Sequence, residues 1–353
     1  MATQTYLERL CAHRPSPDFE QLRAVLQRRR PDRPTLFEFF LNGPLYATLA
    51  GKAFQARADG LDALRQVMLA FRQAGYDYVT YRPPEFHFPA GDHAQGQTIS
   101  LNDGVLISDR ASFEAYRWIE PDHCDYSPLE RIGPELPPGM KVMLFGPGGV
   151  LENVIRLAGY DNLCFILADD PALAQDLFDA VGSRLVRFYQ IACQVPTVGA
   201  AISNDDWGFK TQPMLSPADL RQYVFPWHRR IVETIHAAGL PAILHSCGNA
   251  SEIIGDVIDD MRYDGRHSYE DAILPVEEAY EAYNRRIAVL GGIDVDFVVR
   301  STPAAVYRRA RAMLEQTAAG GAYALGTGNS VPEYVPPENF AAMAWAAVEQ
   351  RLG

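Results

Sequence analysis

The sequence predicts an α/β chain folded as a single (β/α)8 TIM barrel, with helices ahead of the first strand and an insertion after the second. Three observations carry this. Short β-type runs alternate with longer amphipathic stretches, and repeated units of that kind imply parallel strands joined by crossover helices. No Gly-x-Gly-x-x-Gly follows the first run, although an open dinucleotide-binding sheet would usually need one. Polar residues gather at the C-terminal ends of the runs, where barrel active sites lie. A doubly wound sheet with a second domain is the alternative.

Eight β-type runs are readable: 34–40, 76–83, 141–149, 198–208, 241–248, 261–267, 287–294 and 321–329. The first, PTLFEFF, and the second, YDYVTYRP, carry the aromatic and β-branched residues that suit a pleated surface. Between later runs, Ser216-Pro217 and Thr302-Pro303 place a capping hydroxyl before a proline at the first helical position, and Asp170-Pro171 repeats the device. Gly75, Gly239 and Gly320 each follow a helical run and precede a strand, where a left-handed cap belongs. Residues 84–140 interrupt the rhythm with many Pro, Gly and Asp, and read as an insertion folded over the barrel mouth. No composition shift marks a linker, so residues 1–353 read as one domain.

Composition narrows the function classes. With 48% hydrophobic and 22% charged residues, the 353-residue chain can bury a large core and is not disordered. Asp and Glu (44) exceed Lys and Arg (32), giving a net charge of −12 that disfavours nucleic acid and anionic membrane as partners. The first fifteen residues include Glu8, Arg9 and Arg14 and show no apolar signal-peptide core; no run approaches the ~20 apolar residues of a membrane span. Five scattered cysteines predict no disulfide framework. The expectation is a cytoplasmic protein.

His245-Ser246-Cys247 is the sharpest chemical signal. It ends an apolar run, and residues two apart in an extended chain point to the same side, so imidazole and thiolate can share a tetrahedral zinc. The plainer reading is a buried cysteine beside a hydrogen-bonded histidine. Asn204-Asp205-Asp206 ends the preceding run, and two adjacent carboxylates at a barrel mouth need a cation, a substrate or a proton. Asp205 and Asp206 are candidates for metal ligation or proton transfer, or one simply caps a loop. His267, with Glu270 and Asp271 following, is a candidate for substrate contact or for orienting another ligand; a helix cap by Ser268 is the alternative. Asp294, Thr327 and Asn329 end the last two runs beside glycines that admit a ligand close to the backbone. Arg82, ending the second run, is the candidate for an anionic substrate group.

Five stretches resemble the uroporphyrinogen decarboxylase superfamily: GPGGVLENV, LSPADLRQYVFPWHRRIV, AILHSCGN, VLGGIDVDFV and NSVPEYVPPENF. The resemblance covers most of residues 34–350 and implies a (β/α)8 barrel. One branch of the superfamily is a metal-free decarboxylase. The other comprises zinc methyltransferases that move a methyl group between a corrinoid protein and a thiol or folate acceptor, their zinc held by His-x-Cys and a later Cys. The decarboxylase pattern has an arginine-rich segment after the first strand and an aspartate after the second. Here no arginine lies between Arg33 and Arg57, and the second run ends Arg82-Pro83-Pro84. His245-x-Cys247 matches the methyltransferase branch, but its later Cys falls on Asn329. Asn329 oxygen, Asp205 or Asp206, or His267 is then the substitute ligand.

The resemblance thus implies a zinc methyltransferase-like enzyme, with zinc as cofactor and a corrinoid supplied by a partner protein. The metal-free alternative is a decarboxylase or lyase on an acidic small molecule, with Asp205 or Asp206 protonating carbon and Arg82 binding carboxylate. A third reading is a non-catalytic barrel that binds a corrinoid partner or small ligand. The partners expected are a small-molecule substrate, a corrinoid protein and a second copy of the chain.

Overall fold

The computed structural model describes residues 4–91 and 100–352. Seven strands form one parallel sheet in chain order: β1 (Tyr78–Tyr81), β2 (Lys141–Phe145), β3 (Val198–Asn204), β4 (Ala242–His245), β5 (Gly265–His267), β6 (Ala288–Leu290) and β7 (Tyr323–Ala324). The sheet curls, with helices between strands, as in a TIM-like barrel. Its strands are buried on both faces, which explains why β2 (KVMLF) and β4 (AILH) read as continuous apolar runs and not as alternations.

The expected first strand is the exception. Among the described residues, the run 34–40 makes no strand of its own, only one parallel bridge, Leu36 to Leu325. Phe37 N donates to Leu325 O at 2.8 Å and Leu325 N to Thr35 O at 2.9 Å, so the run lies along β7. Its other flank meets β1 through a side chain: Glu38 N donates to the Tyr78 hydroxyl at 2.7 Å, which donates onward to Glu38 O at 2.6 Å. A phenol thus replaces ladder bonds where the sheet ends approach each other. The buried Tyr78 hydroxyl takes up both the N–H and the carbonyl of Glu38, the groups that ladder bonds to β1 would use.

Helix boundaries follow the local chemistry. Asp170, Ser216 and Thr302 each accept from the backbone N–H three residues on, as their Pro-flanked positions predict. Gly75 (φ 95°) ends the helix Asp62–Ala74 in the left-handed conformation. At the third expected cap Gly321 (φ 65°) makes the turn, while Gly320 is kept small by Tyr280, whose hydroxyl would lie 2.3 Å from an added Cβ. Among the described residues, the segment between β1 and β2 holds only short helices, including Arg110–Ala115 and Ser127–Arg131. Part of the expected insertion, residues 92–99, lies outside the described residues.

The seam between the first run and β7 generates a prediction. A Cβ on Gly326 would stand 1.7 Å from Phe37 O. Gly326→Ala should therefore push the run away from β7 and lower stability by ~1–3 kcal/mol, the usual effect of overpacking. Urea unfolding followed by far-UV circular dichroism measures it, and an unshifted midpoint would show that the seam is loose.

Candidate functional site

Five of the sequence candidates, Asp206, His245, Cys247, His267 and Asn329, meet at the C-terminal ends of β3, β4, β5 and the loop after β7. Donor atoms of Asp206, His245 and Cys247 all lie within 4.8 Å of one another. His245 Nε2 is 3.7 Å from Cys247 Sγ. A tetrahedral zinc at ~2.0–2.1 Å from nitrogen and ~2.3 Å from sulfur sets those donors roughly 3.6 Å apart, so the pair fits the ion. Asp206 Oδ1 accepts from Cys247 N at 2.8 Å, which ties the carboxylate to the thiol's own backbone.

The protons on the histidines follow from the hydrogen bonds. His267 Nε2 lies 3.0 Å from Thr327 O, and a carbonyl only accepts, so Nε2 carries the proton. His267 Nδ1 is then an acceptor, and His245 Nδ1, 2.8 Å away, donates to it. His245 Nε2 is left with a bare lone pair facing Cys247. Both rings are neutral: burial, the paired ring and the Arg266 charge push the His245 pKa well down, and burial lowers that of His267 to about 4. Phe37 packs on His267 (5.1 Å between ring centroids) and Phe39 on His245 (4.9 Å), excluding water from the pair. Cys247 has its pKa raised by burial and then by Asp206. A bound cation would reverse that balance by favouring the thiolate.

Asn329 reaches the cluster with its nitrogen. Nδ2 donates to Cys247 Sγ at 3.2 Å, while Oδ1 accepts from Ser330 N at 2.7 Å. The expected ligand oxygen is thus turned away, and Asn329 bonds to the sulfur. Asp205 also departs from the expectation. It is fully buried: Leu151 N and Glu152 N donate to its two oxygens at 2.9 and 2.8 Å, and His228 Nε2 lies 2.8 Å from Oδ2. Its neighbour Asp206 faces the mouth instead, because successive side chains of an extended chain point to opposite sides. Asp205 cannot serve as the third donor beside Cys247, and Asp206 can.

The remaining candidates have other partners. Asn204 Nδ2 donates to Glu152 Oε2 at 3.2 Å. Asp294 caps the helix Val295–Arg300 and also accepts from Asp271 N at 2.9 Å. Asp294, Glu270 and Asn329 line one cavity of about 940 Å3. Arg82 donates to Phe86 O at 3.2 Å; burial and the nearby Arg156 lower its pKa. Thr327 is fully buried, with its backbone N–H and its hydroxyl on Glu38 at 2.6 and 2.9 Å.

Two acids were not legible in the sequence. Glu38 sits at 0% exposure behind the histidine pair, and burial raises its pKa to about 8, so it is protonated at neutral pH. Glu152 accepts from Gly149 N at 2.9 Å; burial, followed by Asp205 and Asp206, raises it to about 8 as well. Glu152 and Asp206 line a second cavity, of about 900 Å3, whose far wall comes from the segment after β1 (His87, Phe88, Leu101). Glu38 hid within an apolar run, and Glu152 within a helix start, where acids are ordinary.

Fold and site together define an α/β barrel-like enzyme framework with a His–Cys–Asp cluster at its mouth. A sequence profile of the Uroporphyrinogen decarboxylase (URO-D) family matches residues 137–350, and the chain belongs to that family. It is 28% identical over 138 residues to a uroporphyrinogen decarboxylase of Syntrophotalea carbinolica (39% of this chain, 37% of that one). It is 27% identical over 186 residues to that of Anaeromyxobacter dehalogenans (52% and 50%). The matches thus span half or less of these curated relatives. A solved methyltransferase from Methanosarcina mazei has the same fold, with a TM-score of 0.69 at 15% identity over 93% of this chain and 97% of that one.

Two outcomes are expected from this geometry. Asp205→Ala strips two helical N–H groups and a buried imidazole of their acceptor, and should lower stability by about 3 kcal/mol or more. Denaturant unfolding checks this; a loss below about 1 kcal/mol would mean that water substitutes freely. Glu38 titrates in the opposite sense to an ion-paired acid. Its folded pKa of about 8 lies above the ordinary 4.5, so its contribution is full below that lower value and is lost as pH rises through the higher. Between about pH 5 and about pH 8.5, stability should therefore fall more steeply in the wild type than in Glu38→Gln, which keeps a neutral acceptor for Thr327 N. Parallel pH profiles in urea would contradict the assignment.

Proposed function

We propose that this chain is a methyltransferase-like enzyme of the URO-D family that binds zinc through His245, Cys247 and Asp206. The observation that carries this reading is the bare Nε2 of His245 facing the Cys247 thiol, with a carboxylate completing three donors within 4.8 Å. The methyl group passes between a corrinoid or small methyl donor and a thiol- or folate-type acceptor. In this reading residues 1–353 form one cytoplasmic barrel domain with 34–40 as its eighth stave and 84–140 as an insertion at the mouth. A corrinoid protein docks at that mouth.

Zinc, when bound, supplies Lewis acidity that lowers the pKa of an acceptor thiol. The protein's own groups do the rest. His267 and the Thr327 carbonyl hold the His245 ring in one tautomer, and Asn329 Nδ2 donates to the Cys247 sulfur. Glu152, protonated near neutral pH, lies beside Asp206 on the 900 Å3 cavity and can exchange a proton with a substrate there. Phe37 and Phe39 keep the histidines dry.

A decarboxylase is the second reading, favoured by the names of the two curated relatives. Burial raises the pKa of Asp206, which suits it to deliver a proton to carbon, with Arg82 binding a carboxylate.

Elemental analysis of the purified protein separates the two. Stoichiometric zinc in the wild type, lost in Cys247→Ser, is the expected result, because a serine hydroxyl is a far poorer ligand than thiolate. Asn329→Cys should raise zinc affinity by placing a further thiolate beside Cys247. Zinc-free wild type, with zinc content equally absent from both variants, would move the assignment to the decarboxylase.

A further inference from the structure

On the outer side of β5 a second polar feature contributes no donor atom to the cluster above. Arg266 is 5% exposed, pointing away from the barrel axis while His267 points in. A guanidinium keeps its charge at any physiological pH, and a buried charge is costly unless paired. No carboxylate forms an ion pair with Arg266 among the described residues. Its partners are weak: Nη2 lies 3.5 Å from Ser246 O, and the guanidinium sits 4.7 Å over the Tyr269 ring. Its Nε is buried without a partner, and so is the Tyr269 hydroxyl. Arg65, buried to a similar degree, instead bonds three carboxylates.

Arg266 borders a cavity of about 300 Å3, enclosed by the loop after β4 and the residues after β5. Ser251 and Tyr269 add hydroxyls, Glu270 adds a carboxylate shared with the 940 Å3 cavity, and Ile254, Ile273 and Tyr283 add apolar wall. Ser268 borders it too, with Oγ 3.9 Å from Cys247 Sγ, so the cavity abuts the His245–Cys247 cluster.

We propose that this cavity is a binding site for a small organic carboxylate, whose anion pairs with Arg266 and whose hydrocarbon part lies against Ile254, Ile273 and Tyr283. The planar fork of the guanidinium matches a carboxylate, and the apolar wall selects an organic acid over a bare inorganic anion. The site does not depend on zinc, so it stands or falls separately from the methyltransferase reading.

The experiment is calorimetric titration of the full chain with benzoate and with propionate, using benzamide as the uncharged counterpart of benzoate. At least one acid should bind saturably, and benzamide should not. Arg266→Gln should weaken that acid by roughly tenfold or more, the value of a charge-assisted bond. Ile273→Trp fills the cavity from its wall while keeping the cation, and should abolish binding even if Arg266→Gln fails to fold. No saturable binding of either acid, benzamide binding as tightly as benzoate, or undiminished binding in Ile273→Trp would each overturn the proposal.

Discussion

The bond from His267 Nε2 to the Thr327 carbonyl is the constraint on which the rest of the site depends. Because a carbonyl has no proton to give, this contact at 3.0 Å sets the tautomer of His267, and through it that of His245. It links three strand ends, β4, β5 and the loop after β7, that are distant in sequence. A barrel is what makes such a link short, since parallel neighbours bring equivalent strand ends to one rim.

Burial supplies the electrostatics that keep this relay in one state. Both rings lie in a dry setting walled by Phe37 and Phe39, where charging an imidazole is unfavourable. Arg266, on the opposite face of β5, adds its positive charge to that effect. Glu38 joins the network as a neutral acid behind Thr327, so the buried end of the relay carries no net charge at neutral pH. The same dryness raises the Cys247 pKa, and this leaves the thiol quiescent until a cation or a base draws its proton.

Asp205 and Asp206 show how one residue step divides framework from chemistry. Asp205 faces into the wall, where it accepts from the N-terminus of the helix Val150–Ala158 and meets His228; Gly149 must lack a Cβ there, since one would sit 2.1 Å from Asp205 Cβ. Asp206 faces the mouth and the Cys247 backbone. The wall acid holds the strand end and helix together, and the mouth acid is thereby presented at a defined place.

The sequence by itself determined the alternation of strands and helices, because period and capping are local: β2 to β6 lie within the expected runs, and Ser216, Thr302 and Asp170 cap as their neighbours dictate. It also determined that His245 and Cys247 share a side, since a two-residue spacing along an extended chain allows little else. Tertiary structure decided what depends on approach between distant segments. It reduced the run 34–40 to a single bridge on the β7 side, with the Tyr78 hydroxyl bonded to the Glu38 backbone on the β1 side. It gave the mouth to Asp206 rather than Asp205, turned the Asn329 amide nitrogen to sulfur, and placed Glu38 and Arg266 in dry surroundings. No local pattern encodes these outcomes, because tautomer, orientation and protonation state are set by groups that lie far away along the chain and meet only when the barrel folds.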